Sequence, residues 1–187
     1  MEVRTGKTLT SLGILDKIKN INKVLFITKK KAITSIYEDF KMLKPTYELL
    51  VMNYESLHKI DERGWDAIVC DESHSMGAFP KPSKRAKQVK QLIINNNPFV
   101  IFLSGTPTPE SFSQMYHQVY GLKNNPFRKY SNFYKFSKDY VLVKQKRIGS
   151  FMVNDYSLGK QEILDKMKPF TISYTQREAG FKSKINE

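Results

Sequence analysis

Residues 66–74 read DAIVCDESH, in which a short apolar run leads directly into two acids and a histidine. Three further apolar, β-rich runs have the same character, namely VLFIT (24–28), YELLVM (47–52) and FVIFLSG (99–105). Stretches with helical patterning separate these runs, at residues 7–20, 32–43 and 84–96. Continuous apolar strands that alternate with helices predict a parallel sheet covered on both faces, and therefore an α/β fold.

The sequence changes in character after residue 110. We expect a helix at 110–122, an aromatic-rich segment at 125–141, a β-hairpin around Gly149, a last helix at 158–168 and a strand at 170–175. Tyr130, Phe133, Tyr134 and Phe136 of the aromatic segment either pack in the fold or stack on nucleic-acid bases, and packing is the preferred interpretation.

Polar residues follow each of the four apolar runs. In a parallel α/β sheet the ligand binds at the carboxyl ends of the strands, so these residues are the candidates for a site. They are Thr28-Lys29-Lys30, Asn53-Tyr54-Glu55, Asp71-Glu72-Ser73-His74 and Ser104-Gly105-Thr106-Pro107.

The first eight residues, MEVRTGKT, fit the end of a phosphate-binding loop, with Met1 in the place of its first glycine. Gly6 lets backbone N–H groups approach phosphate oxygens at the positive end of the following helix. Lys7 would reach the β- and γ-phosphates, and the Thr8 hydroxyl would ligate Mg²⁺. The alternative is a chance occurrence of Gly-Lys-Thr. Such a loop normally follows a strand, and almost none of that strand is present.

The two acids after the 66–71 run suit separate tasks. Asp71 can hold the Mg²⁺ shell, and Glu72 can polarise the water that attacks a γ-phosphate. The alternative is a solvated turn, because Asp and Ser are common turn residues.

The SGTP stretch at 104–107 offers the hydroxyl groups of Ser104 and Thr106 at another strand end, with Gly105 allowing a tight backbone path. Taken alone, it is equally an ordinary exit from a strand.

In this order, MEVRTGKT, YESL (54–57), DESH and SGTP resemble the first RecA-like domain of superfamily-two helicases and translocases, especially the Swi/Snf-like group and related phage DNA helicases. The resemblance implies a three-layer RecA-like P-loop domain with a central, mainly parallel sheet that lacks most of the strand before the P-loop. It implies a single domain over residues 1–187, with the second RecA-like domain absent.

The resemblance also implies a role for each matching residue. Nucleotide-binding residues would be Thr5, Gly6, Lys7 and Thr8; catalytic residues Lys7 and Glu72; metal ligands Thr8 and Asp71. Residues that couple hydrolysis to nucleic acid would be His74, Ser104, Gly105 and Thr106, and nucleic-acid contacts Lys29, Lys30, Asn53 and Tyr54.

The implied function is that of a DNA-dependent ATPase that uses ATP and Mg²⁺ to move on nucleic acid, DNA rather than RNA. In this family a second RecA-like domain, in cis or in trans, supplies arginines to the phosphoryl group, so we expect little or no turnover without it. One alternative is a non-catalytic nucleic-acid-binding module that keeps the fold. A P-loop kinase is less favoured, because it leaves DESH and SGTP unexplained.

The composition agrees with an anionic partner. Lys and Arg number 31 against 18 Asp and Glu, a formal charge of +13. This excess favours nucleic acid first and an anionic membrane surface second, and the alternative is a basic solvated surface. Basic clusters lie at Lys29–Lys31, at 81–90 and at Lys144, Lys146 and Arg147, each either a phosphate contact or a solvated face. The single cysteine, Cys70, indicates a reducing compartment. We expect no membrane partner and a cytoplasmic location, in a bacterial or phage-infected cell.

Overall fold

The structure is a computed structural model that describes residues 6–175 and 177–178. Its strands are β1 (Lys23–Thr28), β2 (Glu48–Asn53), β3 (Ala67–Cys70), β4 (Phe99–Phe102), β5 (Lys144–Ile148) and β6 (Phe151–Asp155). Its α-helices are α1 (Lys7–Lys17), α2 (Ile33–Leu43), α3 (Lys84–Asn96), α4 (Met115–Val119), α5 (Phe133–Tyr140) and α6 (Glu162–Met167).

The chain divides into two compact units. The first comprises Met1–Glu72, Asn96–Thr106 and Ile172–Glu187, and the second comprises Ser73–Asn95 and Pro107–Thr171. The sheet formed by β1 to β4 belongs to the first unit, and the β5–β6 hairpin belongs to the second.

The sheet of the first unit has the order β2-β1-β3-β4, and every pair of neighbouring strands is parallel. The register pairs Thr28 with Asn53 and Ile27 with Cys70, so the carboxyl ends of the strands lie along one edge. This confirms the predicted α/β class with a central parallel sheet, and it confirms all four predicted strands.

One face of this sheet is covered by α1 and α2. Leu12 and Leu15 of α1 and Ile36 of α2 pack in one apolar core with Phe26 and Val69 of the sheet. The residues that alternate with them along β1 and β3 are also fully buried, namely Leu25, Ile27, Ile68 and Cys70. Burial on both sides explains why these strands read as continuous apolar runs.

The bounds of the two helices follow from local chemistry. Before α1, Gly6 adopts a left-handed conformation with φ of 71°, which a glycine reaches without a Cβ penalty. After α2, Lys44 turns the chain with φ of 47°, and Pro45 cannot continue the helix.

The second unit is built around aromatic side chains. Tyr116, Phe127 and Phe136 are almost fully buried, and the centre of the Phe136 ring lies 4.8 Å from that of Tyr116 and 5.1 Å from that of Phe127. The preferred interpretation of the aromatic segment as packing residues therefore holds for Tyr130, Phe133 and Phe136, whereas Tyr134 is exposed.

Two sequence expectations for this part of the chain need correction. The helix expected at 110–122 is only a 3₁₀ turn followed by α4 (Met115–Val119). The strand expected at 170–175 is wrong: Phe170 ends a 3₁₀ turn, and residues 171–175 have no regular secondary structure. The predicted hairpin around Gly149 is confirmed.

Candidate functional site

Asp71 is held at the carboxyl edge of the sheet by three hydrogen bonds. Its backbone N–H donates to the carbonyl of Ile27 at 2.8 Å, which continues the β1–β3 ladder by one residue. The buried Thr28 hydroxyl donates to its Oδ2 at 2.8 Å, and the Tyr54 hydroxyl donates to its carbonyl oxygen at 2.7 Å. The carboxylate is thus fixed by the ends of β1 and β3, while the residue itself stays partly exposed.

Glu72 has a different backbone and different partners. Its φ of 51° lies in the left-handed region, which costs a residue with a Cβ about 1–2 kcal/mol. Its carboxylate pairs with the Lys29 ammonium at 3.5 Å, and both side chains reach solvent. Two adjacent acids therefore leave the strand in different environments, one bonded to Thr28 and the other paired with a lysine.

The turn that begins α1 is compatible with a phosphate group. Thr5 lies outside the described residues, but Gly6, Lys7 and Thr8 are placed. Gly6 is exposed and has no side chain to cap the helix, and an added Cβ would meet no atom of the described residues within 4 Å. The first N–H groups of an α-helix have no intrahelical partner, so this end carries a partial positive charge, with a lysine and a hydroxyl beside it.

The oxygen atoms at the start of α1 and at the end of β3 suit Mg²⁺ bound together with a phosphate. Within the described residues, no group of three His, Cys, Asp or Glu side chains is arranged to hold a metal. Mg²⁺ does not need such a cage, since it keeps several waters and takes one or two protein oxygens plus substrate phosphates. The Thr8 hydroxyl and the Asp71 carboxylate are oxygens of the right kind.

The residues after β4 form a tight turn at the same edge of the sheet. The Leu103 N–H donates to the Cys70 carbonyl at 2.9 Å, which ties the exit of β4 to β3. The Thr106 N–H donates to the Ser104 hydroxyl at 3.2 Å across Gly105. Ser104 and Gly105 are partly exposed and Thr106 is exposed.

His74 lies in the second unit, in the 3₁₀ helix Ser73–Met76. Its carbonyl accepts a hydrogen bond from the Gly77 N–H at 2.9 Å. It is therefore the one proposed coupling residue that belongs to a different unit from Asp71 and Glu72.

The four predicted nucleic-acid contacts have different environments. Lys29 and Lys30 are exposed directly after β1. The Asn53 side-chain amide donates to the Glu55 carboxylate at 2.9 Å, and Asn53 is partly exposed. Tyr54 is only 2% exposed, and its hydroxyl is bonded to Asp71, so its ring offers no surface to a nucleic acid.

Sequence reasoning missed the supporting roles of Thr28 and Tyr54. Both lie at strand ends that the apolar runs identify, but their partner is 43 and 17 residues away along the chain. A hydroxyl at the last position of a buried strand was the available signal for Thr28.

The basic cluster at 81–90 borders a cavity within the second unit. The cavity has a volume of about 350 Å³, and Lys81, Lys87 and Lys90 lie in its wall together with Tyr120 and Tyr134. The Lys90 ammonium lies 4.1 Å from the centre of the Tyr120 ring, so this cation is partly engaged by the aromatic face.

Among the described residues, no helix is both long enough and apolar enough to cross a bilayer.

Comparison with known protein families matches residues 9–180 to the SNF2-related domain. The matched range begins directly after Thr8, so it includes the strand ends with Asp71, Glu72 and Ser104 but not Gly6, Lys7 or Thr8. No match was found among curated proteins. The SNF2-related domain is the first RecA-like ATPase domain of Swi/Snf helicases, a family of DNA-dependent ATPases and translocases that use a nucleotide and Mg²⁺. Because the match covers nearly the whole chain and the parallel sheet agrees with it, the chain belongs to the SNF2-related domain family.

Proposed function

We propose that this chain is the ATP-binding domain of a DNA-dependent ATPase of the helicase or translocase type, a single functional domain over residues 1–187. The observation that carries the proposal is the fixed carboxylate of Asp71 at the carboxyl edge of a parallel sheet, next to a second acid with a different orientation of its backbone. Such an edge is where α/β sheets bind their ligands.

The nucleotide phosphates would bind at the start of α1. The N–H groups of the helical turn after Gly6 have no partner within the helix, and their partial positive charge attracts phosphate oxygens. Lys7 adds a full positive charge at the same end, and Thr5 would complete the loop. The Thr8 hydroxyl and the Asp71 carboxylate would hold Mg²⁺, which when bound neutralises charge on the β- and γ-phosphates.

Glu72 would orient and polarise the attacking water. A water-orienting residue must hold its carboxylate toward solvent, and Glu72 is partly exposed with Lys29 beside it. The same lysine is one of the proposed contacts to the nucleic-acid backbone. A DNA phosphate that attracts Lys29 would therefore loosen its pairing with Glu72, which gives DNA binding a direct route to the catalytic acid.

Nucleic acid would contact the first unit through Lys29, Lys30 and Asn53. These groups can bind phosphates and sugars but read no sequence, so we expect binding that is independent of sequence and sensitive to salt. We assign Tyr54 to the support of Asp71 instead. His74, Ser104, Gly105 and Thr106 would couple the two activities.

The arginines that stabilise transferring phosphoryl groups in this family would come from a second RecA-like domain, in cis or in trans. We therefore expect the chain alone to bind MgATP and DNA and to turn ATP over slowly or not at all. DNA is the expected nucleic acid, and the cytoplasm of a bacterial or phage-infected cell the expected location.

The test measures MgATP binding and ATP hydrolysis by the chain, with and without DNA. Lys7→Ala is the test variant, and Lys17→Ala is its matched control, because Lys17 is an exposed lysine at the other end of the same helix. We expect MgATP to raise the melting temperature of the wild type and of Lys17→Ala but not of Lys7→Ala, since a ligand stabilises only the state that binds it.

Two outcomes would contradict the proposal. If MgATP stabilises Lys7→Ala as much as the wild type, the start of α1 is not the phosphate site. If MgATP stabilises neither protein while both bind DNA equally, the chain is the alternative, a non-catalytic nucleic-acid-binding module with the helicase fold.

A further inference from the structure

The β5–β6 hairpin of the second unit is exposed on both faces. Every residue from 142 to 154 is solvent-exposed, so side chains on both faces of the ribbon reach solvent. A two-stranded hairpin with neither face packed is marginally stable in water. Its five paired residues on each strand extend it by roughly 17 Å.

The base of the hairpin is nevertheless firmly attached to the second unit. The Leu142 N–H donates to the Leu158 carbonyl at 2.9 Å, and the Lys160 N–H donates to the Tyr140 carbonyl at 2.8 Å. Gly159 packs so closely that an added Cβ would lie 2.7 Å from the Ser113 nitrogen. The hairpin is therefore held in place at its base and presented to solvent at its tip.

The tip carries large apolar side chains. Ile148 and Phe151 form a cross-strand pair on one face, and they are 59% and 74% exposed. Met152 lies on the opposite face and is 58% exposed. Exposed apolar side chains clustered in one place mark an interaction site.

The body of the hairpin is basic. Lys144 and Lys146 share a face with the apolar tip pair, and Arg147 lies on the other face. The acid opposite Lys144 is Asp155, and its carboxylate accepts a hydrogen bond from the Ser157 N–H at 2.9 Å. That hydrogen bond, with Lys146 and Lys144 nearby, lowers the pKa of Asp155, so the acid stays ionised at the base of the ribbon.

We propose that the hairpin is a second nucleic-acid contact, in which Ile148 and Phe151 pack against unpaired bases while Lys144, Lys146 and Arg147 bind the adjacent phosphates. Apolar wedges flanked by Lys and Arg are the chemistry that proteins use to enter a base stack, and aromatic rings stack on bases of any sequence. The positive charge of the ribbon complements a phosphate backbone, and this favours nucleic acid over a purely apolar partner.

The inference rests on the proposed function only in naming nucleic acid as the partner. The hairpin belongs to the second unit, and Lys29 and Lys30 belong to the first, so the two contacts can be removed separately.

The experiment measures the affinity of the full chain for a labelled oligothymidine and for a blunt duplex of the same length, by fluorescence anisotropy over a range of salt concentrations. The tip variant is Ile148→Ser with Phe151→Ser. Its matched control is Ile172→Ser, an apolar residue that is 80% exposed in the first unit.

The charge variant replaces Lys144, Lys146 and Arg147 by Glu. Its control replaces Lys17, Lys19 and Lys41 by Glu, which changes the net charge equally. All of these positions are exposed, so circular dichroism is expected to show an unchanged fold.

We expect the tip variant to lose single-strand affinity by about fivefold or more and to keep duplex affinity within about twofold. The charge variant should bind both the single strand and the duplex more weakly. On single strands it should reduce the slope of log affinity against log salt concentration by about 0.7 per lost phosphate contact. Replacing Phe151 by a photoreactive benzoyl-phenylalanine should give a covalent adduct with the oligothymidine.

The inference is overturned if the tip and charge variants bind like their controls, or if the photoreactive residue reacts only with a second copy of the chain. If Lys29→Glu with Lys30→Glu abolishes binding while the hairpin variants bind normally, the proposed function stands and the hairpin contact fails. If the hairpin variants lose binding and the Lys29/Lys30 variant does not, the hairpin contact stands and the proposed contact of the first unit fails.

Discussion

The hydrogen bond between Thr28 and Asp71 can be tested by a change that keeps the volume of the side chain. Thr28 is fully buried and its hydroxyl donates to the Asp71 carboxylate at 2.8 Å, so Thr28→Val removes one donor with little change of shape. A hydrogen bond to a charged group contributes about 1.5–3 kcal/mol. Because Asp71 is partly exposed and water can replace some of the lost interaction, we expect the lower part of this range, about 1.5–2 kcal/mol.

The assay is unfolding in urea followed by the fluorescence of Trp65. This is the only tryptophan in the chain, it is 4% exposed, and it belongs to the first unit. With a urea dependence of about 2 kcal/mol per M, the midpoint should fall by about 0.7–1 M.

The control is the same substitution in an Asp71→Ala background, where the Thr28 hydroxyl has already lost this acceptor. There Thr28→Val should cost less than about 0.5 kcal/mol, because replacing both partners by apolar groups avoids an unsatisfied donor. An equal cost in both backgrounds would show that the bond does not hold Asp71, and so would a wild-type cost below about 0.5 kcal/mol.

Two glycines, the buried Cys70 thiol and the partly buried His117 give the remaining predictions. Gly13→Ala should stabilise the first unit by about 0.5–1 kcal/mol, measured by Trp65 fluorescence, because an added Cβ inside α1 meets no atom within 4 Å. Gly159→Ala should destabilise the second unit by about 1–3 kcal/mol, measured by thermal circular dichroism, since its Cβ would lie 2.7 Å from a backbone nitrogen. Burial raises the pKa of the Cys70 thiol, so its reaction with a disulfide reagent should occur only as fast as the first unit opens, and a rapid phase in native buffer would contradict this. Burial lowers the pKa of His117, so the unfolded chain binds a proton at this histidine more readily than the folded chain does. The stability of the second unit should therefore decrease as the pH falls below about 6.5. In urea titrations followed by circular dichroism, His117→Gln should make the stability less dependent on pH.

The central strands β1 and β3 could be predicted because both are buried on both faces, whereas β2 and β4 are apolar runs that stay partly exposed. Burial of this kind favours apolar side chains on both faces of a strand, and the runs VLFIT and AIVC have this composition. The carboxyl-edge rule then located Asp71, Glu72 and the 104–106 turn without any knowledge of tertiary contacts.

The strand expected at 170–175 shows why a pattern alone is not sufficient. FTISYT has the composition of a strand, but a strand exists only when its backbone pairs with a neighbour. In the structure these residues join no sheet, and the side chain of Ile172 is 80% exposed.

The contacts of the candidate site were also beyond sequence reasoning, for a related reason. The bond from Thr28 to Asp71 depends on β1 and β3 being neighbours, and nothing in either run states which strands pair. The burial of Tyr54 has the same origin. The roles of Lys7, Thr8, Glu72 and the coupling residues stay predictions, as does the single functional domain.

The left-handed backbone at Glu72 has a consequence for directed evolution of this chain. Glycine takes a φ of 51° without the penalty of a Cβ, and asparagine takes it with a smaller one than glutamate. A library of variants at position 72 that is selected only for thermal stability would therefore enrich Gly and Asn. A library selected for ATP turnover would retain the acid if Glu72 acts as proposed. The residue that each selection recovers at position 72 would show whether stability or turnover determines the choice of residue there.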